Sequence, residues 1–213
     1  LALALELLDR RPDVVAVALH PRHPDGGRSE WPFARRVARA SDAWPVMGCG
    51  NLVRIDAWHR VGGYCEPYFL YRNDTDLAIA LRTQGKVWFD PSWVVWHDSP
   101  AATRKSVRWC HTATRNWLWM ARRHGRGPSR LLAALGVLQA FRLAGARPRA
   151  CLAVVRGTLA GLTQAPPPTR AASAEGWKAL MRLRLGTPPP SASRYVARCQ
   201  STPTAPTHCE AQA

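Results

Sequence analysis

The sequence predicts an α/β fold, and three observations lead there. A helical pattern at residues 2–11 runs straight into a buried strand pattern, "DVVAVAL" (Asp13–Leu19), the alternation of an α/β sheet. "KVWFDPSWVVWHDS", from Lys86, carries β-branched and aromatic residues in two short runs parted by Asp90-Pro91. Beyond residue 104 strand patterns give way to helical ones rich in Arg and Trp. Composition therefore divides the chain into an α/β part at 1–104, a basic Trp-rich helical region at 105–163 and a Pro-rich, largely disordered tail at 164–213.

The elements follow in order. Residues 2–11 form a helix with no capping residue ahead of it. His20 to Pro32 is a loop dense in Pro and Gly, and Phe33 to Ala40 a short basic helix. A Gly-rich turn leads to a short strand near Asn51–Arg54, then to a helix capped by Asp56 and stopped at Gly62-Gly63. The helix opened by "YRND" runs to about Gln84 and stops at Gly85. A helix from Lys105 to about His124 is broken by "HGRGPS", and Arg130–Leu143 and Arg149–Leu162 are helical. "QAPPPT" ends the ordered part, and the stretch from Thr187 is too poor in large apolar residues to fold.

The charge is lopsided. The chain has 213 residues and a net charge of +16. Residues 1–100 hold 12 basic and 12 acidic side chains, so the whole excess falls after them, where 16 of 18 basic residues are Arg. An Arg-biased composition explains this as readily as an anionic partner does. The six cysteines (Cys49, Cys65, Cys110, Cys151, Cys199 and Cys209) form no C-x-x-C pair and read as reduced cytosolic thiols. No apolar run reaches the roughly 18 residues of a transmembrane helix.

The stretch "YRNDTDLA", Tyr71–Ala78, sets an acidic turn against apolar flanks, "EPYFLY" before it and "LAIAL" after. Asn73 and Asp76 suit a capping box, and both acids gain from the helix dipole. Capping does not account for Asp74. An acid held at the end of a buried element suits general-base or metal chemistry.

The wider spacing resembles family 2 glycosyltransferases. Gly62-Gly63-Tyr64, Glu66, Phe69-Leu70-Tyr71, Asn73-Asp74, Asp76-Leu77, Gly85, Pro91 and Val94-Val95-Trp96-His97 stand in that family's order. The resemblance spans about residues 1–125 and is strongest over 48–98. It implies a partial GT-A sandwich, the nucleotide-diphospho-sugar transferase fold, followed by C-terminal helices. It implies transfer of a sugar from a nucleotide-diphosphate donor to a hydroxyl of a glycan or polyprenyl-linked acceptor, with inversion, in cell-envelope polysaccharide synthesis. Asp74 takes the place of the catalytic base, and His97 that of a ligand to a divalent metal, Mn²⁺ or Mg²⁺. Asn73 stands where the family has Glu or Asp. Gly50, Asn51, Asn73, Asp76 and Trp96 are assigned to the acceptor side. The family's nucleotide-binding strands and Asp-x-Asp metal motif are expected ahead of Leu1, so residues 1–213 alone are expected to be inactive.

Trp109, Trp117 and Trp119 stand among Arg104, Lys105, Arg108, Arg115, Arg122, Arg123 and Arg126. Such a helix suits an anionic membrane surface or a lipid diphosphate. Packing of the tryptophans back on the domain is the plainer alternative. The resemblance favours a cytoplasmic protein peripheral to the inner face of the plasma membrane and no nucleic-acid partner. The rival is a basic Trp-rich module that binds single-stranded nucleic acid by stacking, or an inactive remnant.

Overall fold

In a computed structural model of the chain, the described residues are 1–24, 40–42, 48–98, 105–131, 133–168 and 171–185. Along them run α1 (Ala2–Arg10), β1 (Val14–Arg22), β2 (Asn51–Val53), α2 (Ile55–Val61), α3 (Asn73–Leu81), β3 (Lys86–Trp96), α4 (Val107–His124), α5 (Ala133–Ala144), α6 (Pro148–Thr163) and α7 (Ala174–Leu185). The architecture is mixed α/β. The sheet has the order β2-β1-β3, with β1 antiparallel to β2 and parallel to β3.

The first halves of β1 and β3 are buried on both faces. Val14, Val17 and Trp88 face α1, where they meet Ala4, Leu7 and Leu8. Val15, Ala18, Val87 and Phe89 face the other way, onto α2, α3, α4 and α7. A strand apolar on both sides has a continuous hydrophobic run, which is why "DVVAVAL" lacks polar alternation. Arg54 holds the end of α1 to the sheet by donating to the carbonyls of Val14 and Leu8.

β1 runs three residues past its expected end, through His20, Pro21 and Arg22. Pro21 is tolerated because β2 stops pairing at Ala18, with a last bond from Leu19 N–H to Gly50 O. From there β1 pairs, among the described residues, with β3 alone, and a missing N–H on the other side costs no bond of that ladder. β3 is one strand, not two, but its register jumps between Ala18↔Phe89 and His20↔Val94. The extra residues sit at Asp90-Pro91, where Asp90 accepts from the Ser92 N–H and hydroxyl in an Asx turn.

Three capping expectations change. Asp56 lies in the first turn of α2, whose cap is Arg54, while Gly62 closes it in the left-handed conformation as expected. Asn73 is the first residue of α3; the cap is Arg72, and no side chain bonds there. Gly85 is not a left-handed cap, since α3 ends at Leu81. It is glycine because a Cβ would stand 2.7 Å from Asp13 O and Val15 Cγ1, so the chain can cross β1 only without a side chain.

The expected divisions at 104/105 and 163/164 do not separate units. Trp117, Trp119 and Met120 of α4 and Trp177, Leu180 and Met181 of α7 share one core with Leu77, Ile79 and Phe89. The region expected as a disordered tail from 164 thus contains a packed helix. Trp177 is fully buried and stacks at a tilt on Trp117, 5.2 Å between ring centroids. Trp177→Ala is expected to cost about 3–5 kcal/mol, the usual loss for a large buried aromatic, measured by urea unfolding. The expected helix at Phe33–Ala40, all but its last residue, and the tail from Thr187 lie outside the described residues.

Candidate active site

α3 begins in a strained turn. Phe69, Tyr71 and Arg72 have φ of 52°, 67° and 75°, all positive, and none is glycine. Each such conformation costs on the order of 1–3 kcal/mol and persists only where the surroundings enforce it. Asn116, fully buried on α4, does the enforcing: its Nδ2 donates to the carbonyls of Tyr68, Leu70 and Tyr71 at 2.8–3.0 Å. Its Oδ1 accepts from the Arg115 guanidinium at 2.9 and 3.0 Å. Asn116→Ala leaves these carbonyls unpaired, and a loss of about 1–3 kcal/mol is expected. A conformational role predicts faster proteolysis at 69–72 in the variant, a readout that simple core loosening elsewhere would not single out.

The strained turn delivers Asp74. Its carboxylate is half-buried and accepts from the Thr75 N–H at 2.6 Å and, across the site, from the Gly48 N–H at 3.2 Å. Burial pushes its pKa above the usual aspartate range, against the pull of the Thr75 N–H, the Arg72 charge and the Gly48 N–H. Arg72 stacks its guanidinium over the Trp117 ring at 5.5 Å. It lines a small cleft with Trp109, Thr114, Trp117 and Gln139.

On its other side Asp74 meets the loop at Gly48–Asn51, through the Gly48 N–H. Gly50 has φ of 70°, and a Cβ there would stand 2.4 Å from Val95 Cγ1, so the loop lies directly on β3. The Asn51 side chain bonds the Tyr64 hydroxyl, whose pKa is raised first by burial and next by the charge of Asp74. Tyr64 packs edge-on against Trp58, 5.1 Å between centroids. Gly50, Asn51 and Asp74 are therefore brought together, with Asn73 adjoining Asp74 in the same turn. Tyr64, Arg72 and Asn116 complete the surroundings. In the sequence Tyr64 and Arg72 stand out only as parts of motifs, and Asn116 carries no signal of its own.

Asp76 is not at this surface, which corrects its expected place among acceptor-binding residues. It is 2% exposed and turns into the core. One oxygen meets His124 Nε2 at 2.8 Å and the other Arg123 Nη1 at 3.3 Å. His124 Nδ1 accepts from the Ser173 N–H at 3.2 Å, so its proton sits on Nε2 and is donated to Asp76. Asp76 is a buried tie between α3, α4 and the start of α7.

Trp96 is also apart from Asp74. It is 65% exposed, and strand alternation turns it away from Val95 and the Gly50 loop. His97 is half-buried, its backbone N–H bonded to Arg22 O at 2.8 Å. No group of three His, Cys, Asp or Glu side chains converges among the described residues. His97 is a single donor where an ion needs several, so these residues do not by themselves fit a divalent metal.

Of the three tryptophans of α4 only Trp109 is partly open to solvent. Trp117 and Trp119 are buried, Trp117 Nε1 donates to Ala133 O at 2.9 Å, and the Arg115 guanidinium lies 4.3 Å over Trp119. Cys65, Cys110 and Cys151 are thiols outside any disulfide. Among the described residues no helix is long and apolar enough to cross a membrane. No family profile, curated protein or solved structure matches the chain.

Proposed function

We propose that residues 1–213 are the acceptor side of a glycosyltransferase of family 2, a partial GT-A sandwich that transfers a sugar from a nucleotide-diphosphate donor to a hydroxyl. The observation that carries the reading is the meeting of Asp74 with the Gly48–Asn51 loop, two segments distant in sequence, through the Gly48 N–H. An inert surface acid needs no strained turn to hold it. A carboxylate with a raised pKa, still partly open, has the basicity to take a proton from a hydroxyl.

The step is a displacement. The acceptor O–H gives its proton to an Asp74 oxygen while its oxygen bonds the anomeric carbon. The bond from that carbon to the donor phosphate breaks, and the electron pair leaves with the nucleoside diphosphate. Asn51 and the backbone of Gly48–Gly50 orient the acceptor, and Tyr64 stays neutral as a hydrogen-bonding partner of Asn51. A divalent metal would need donors besides His97.

The test uses the whole reading frame that contains residues 1–213. Release of nucleoside diphosphate is measured from UDP-, GDP- and dTDP-sugars in the presence of glycan and polyprenyl-linked acceptors. Turnover that depends on Asp74 supports the reading; turnover indifferent to Asp74, or none with any pair, overturns it. The burial of Trp117 and Trp119 leaves only Trp109, itself half-buried, of the three tryptophans on which the nucleic-acid alternative rested, and so favours the glycosyltransferase reading.

A further inference from the structure

Helices α5 and α6 are built with their small residues inside and their large ones outside. Toward α4 they bury Ala140, Ala144, Ala150 and Val154. A Cβ on Gly157 would stand 2.4 Å from His111 O, and one on Gly161 2.7 Å from Leu118 Cβ, so α6 lies as near to α4 as two backbones allow. The outward stripe is Leu135 and Leu138 on α5, and Leu152, Val155, Leu159 and Leu162 on α6, each at least 43% exposed. Residues spaced by three and four share one side of a helix, and here that side is opposite the buried one. Water-facing helices ordinarily carry polar residues there. A continuous exposed apolar surface of this kind marks a place of contact.

Charge identifies what it contacts. From Ser99 through Ala174 the sequence has 13 Lys and Arg and no acidic residue. Arg142, Arg149 and Arg156 are exposed one turn from the outward leucines, and among the described residues none has an ion pair or hydrogen bond. A second copy would set these arginines against each other. We propose that the outer face of α5 and α6 docks on an anionic lipid bilayer. The helices lie in the headgroup layer, with the leucines and Val155 among the upper acyl chains and the three guanidiniums at the lipid phosphates. This surface stands independently of the glycosyl-transfer reading and differs from the α4 tryptophan face expected from the sequence.

Flotation of the full chain with vesicles tests it, using phosphatidylglycerol and phosphatidylcholine in equal amounts against phosphatidylcholine alone. Binding is expected to the anionic vesicles only. Leu152→Glu with Leu159→Glu lowers it by about tenfold or more per leucine, from the burial lost. Arg142→Gln, Arg149→Gln and Arg156→Gln lower it by about fivefold each. These positions are exposed, and an unchanged circular dichroism spectrum checks that each variant folds. The proposal is overturned if the wild type ignores anionic vesicles or binds neutral ones equally. It is overturned too if a single-stranded oligonucleotide is bound in preference and the leucine variant keeps that binding, or if the leucines prove to hold a dimer that the glutamates disperse.

Discussion

Asp74→Asn in the whole reading frame is expected to lower glycosyl transfer by about 10²–10⁴, the usual contribution of a positioned general base. The amide keeps the size and removes the basicity, so donor and acceptor KM should change little while kcat falls. The pH profile gives a second readout. The proposed reaction needs Asp74 ionised, and burial raises its pKa, so the acid limb of kcat/KM should lie above the ordinary aspartate value of about 3.9. In the variant that limb should vanish from the residual activity. The sign for stability follows from the same shift. A carboxyl that binds its proton more tightly when folded contributes stability below the ordinary value, lost as pH rises through the folded one. The site is therefore least stable where it is most active. An unchanged rate in Asp74→Asn would remove the catalytic reading.

The second large effect is on folding. Asp76→Ala leaves Arg123 and the His124 N–H buried with no carboxylate, and the expected loss is about 3–5 kcal/mol. In a chain of this size that lowers Tm by on the order of 10 °C. The pairing itself is tested by adding Arg123→Met. With the stranded cation gone, the double variant should lose clearly less than the sum of the singles. Simple additivity in thermal melts would mean that Asp76 and Arg123 act independently.

Local pattern carried much of the fold. The ends of α1, α4, α5 and α6 fall within a few residues of where spacing and breakers set them, because each signal lies within one helical turn. In the candidate site Asp74 stands out in the sequence as an acid that capping does not explain, whereas Gly50 and Asn51 enter only through the resemblance. What was hidden depends on distant partners. Asp76 reads as an N-terminal helix acid until His124 and Arg123 are folded beside it. Asn116 is one polar residue among the tryptophans of α4, and its three carbonyl partners belong to a turn whose strain no propensity reveals. α7 was masked by the prolines around it, although "WKALM" held the necessary apolar residues.

The late helix also changes how this chain can be divided. Trp177 meets Trp117, and the two ends of the His124 ring join Asp76 of α3 to the Ser173 backbone just ahead of α7. The segments that composition separates as α/β, helical and tail are interleaved layers of one body. A cut at 104 or 163 would not release a module; it would open the layer on which α3, and so Asp74, rests. Any shuffling of this unit between proteins has to carry the segment from α2 through α7 together.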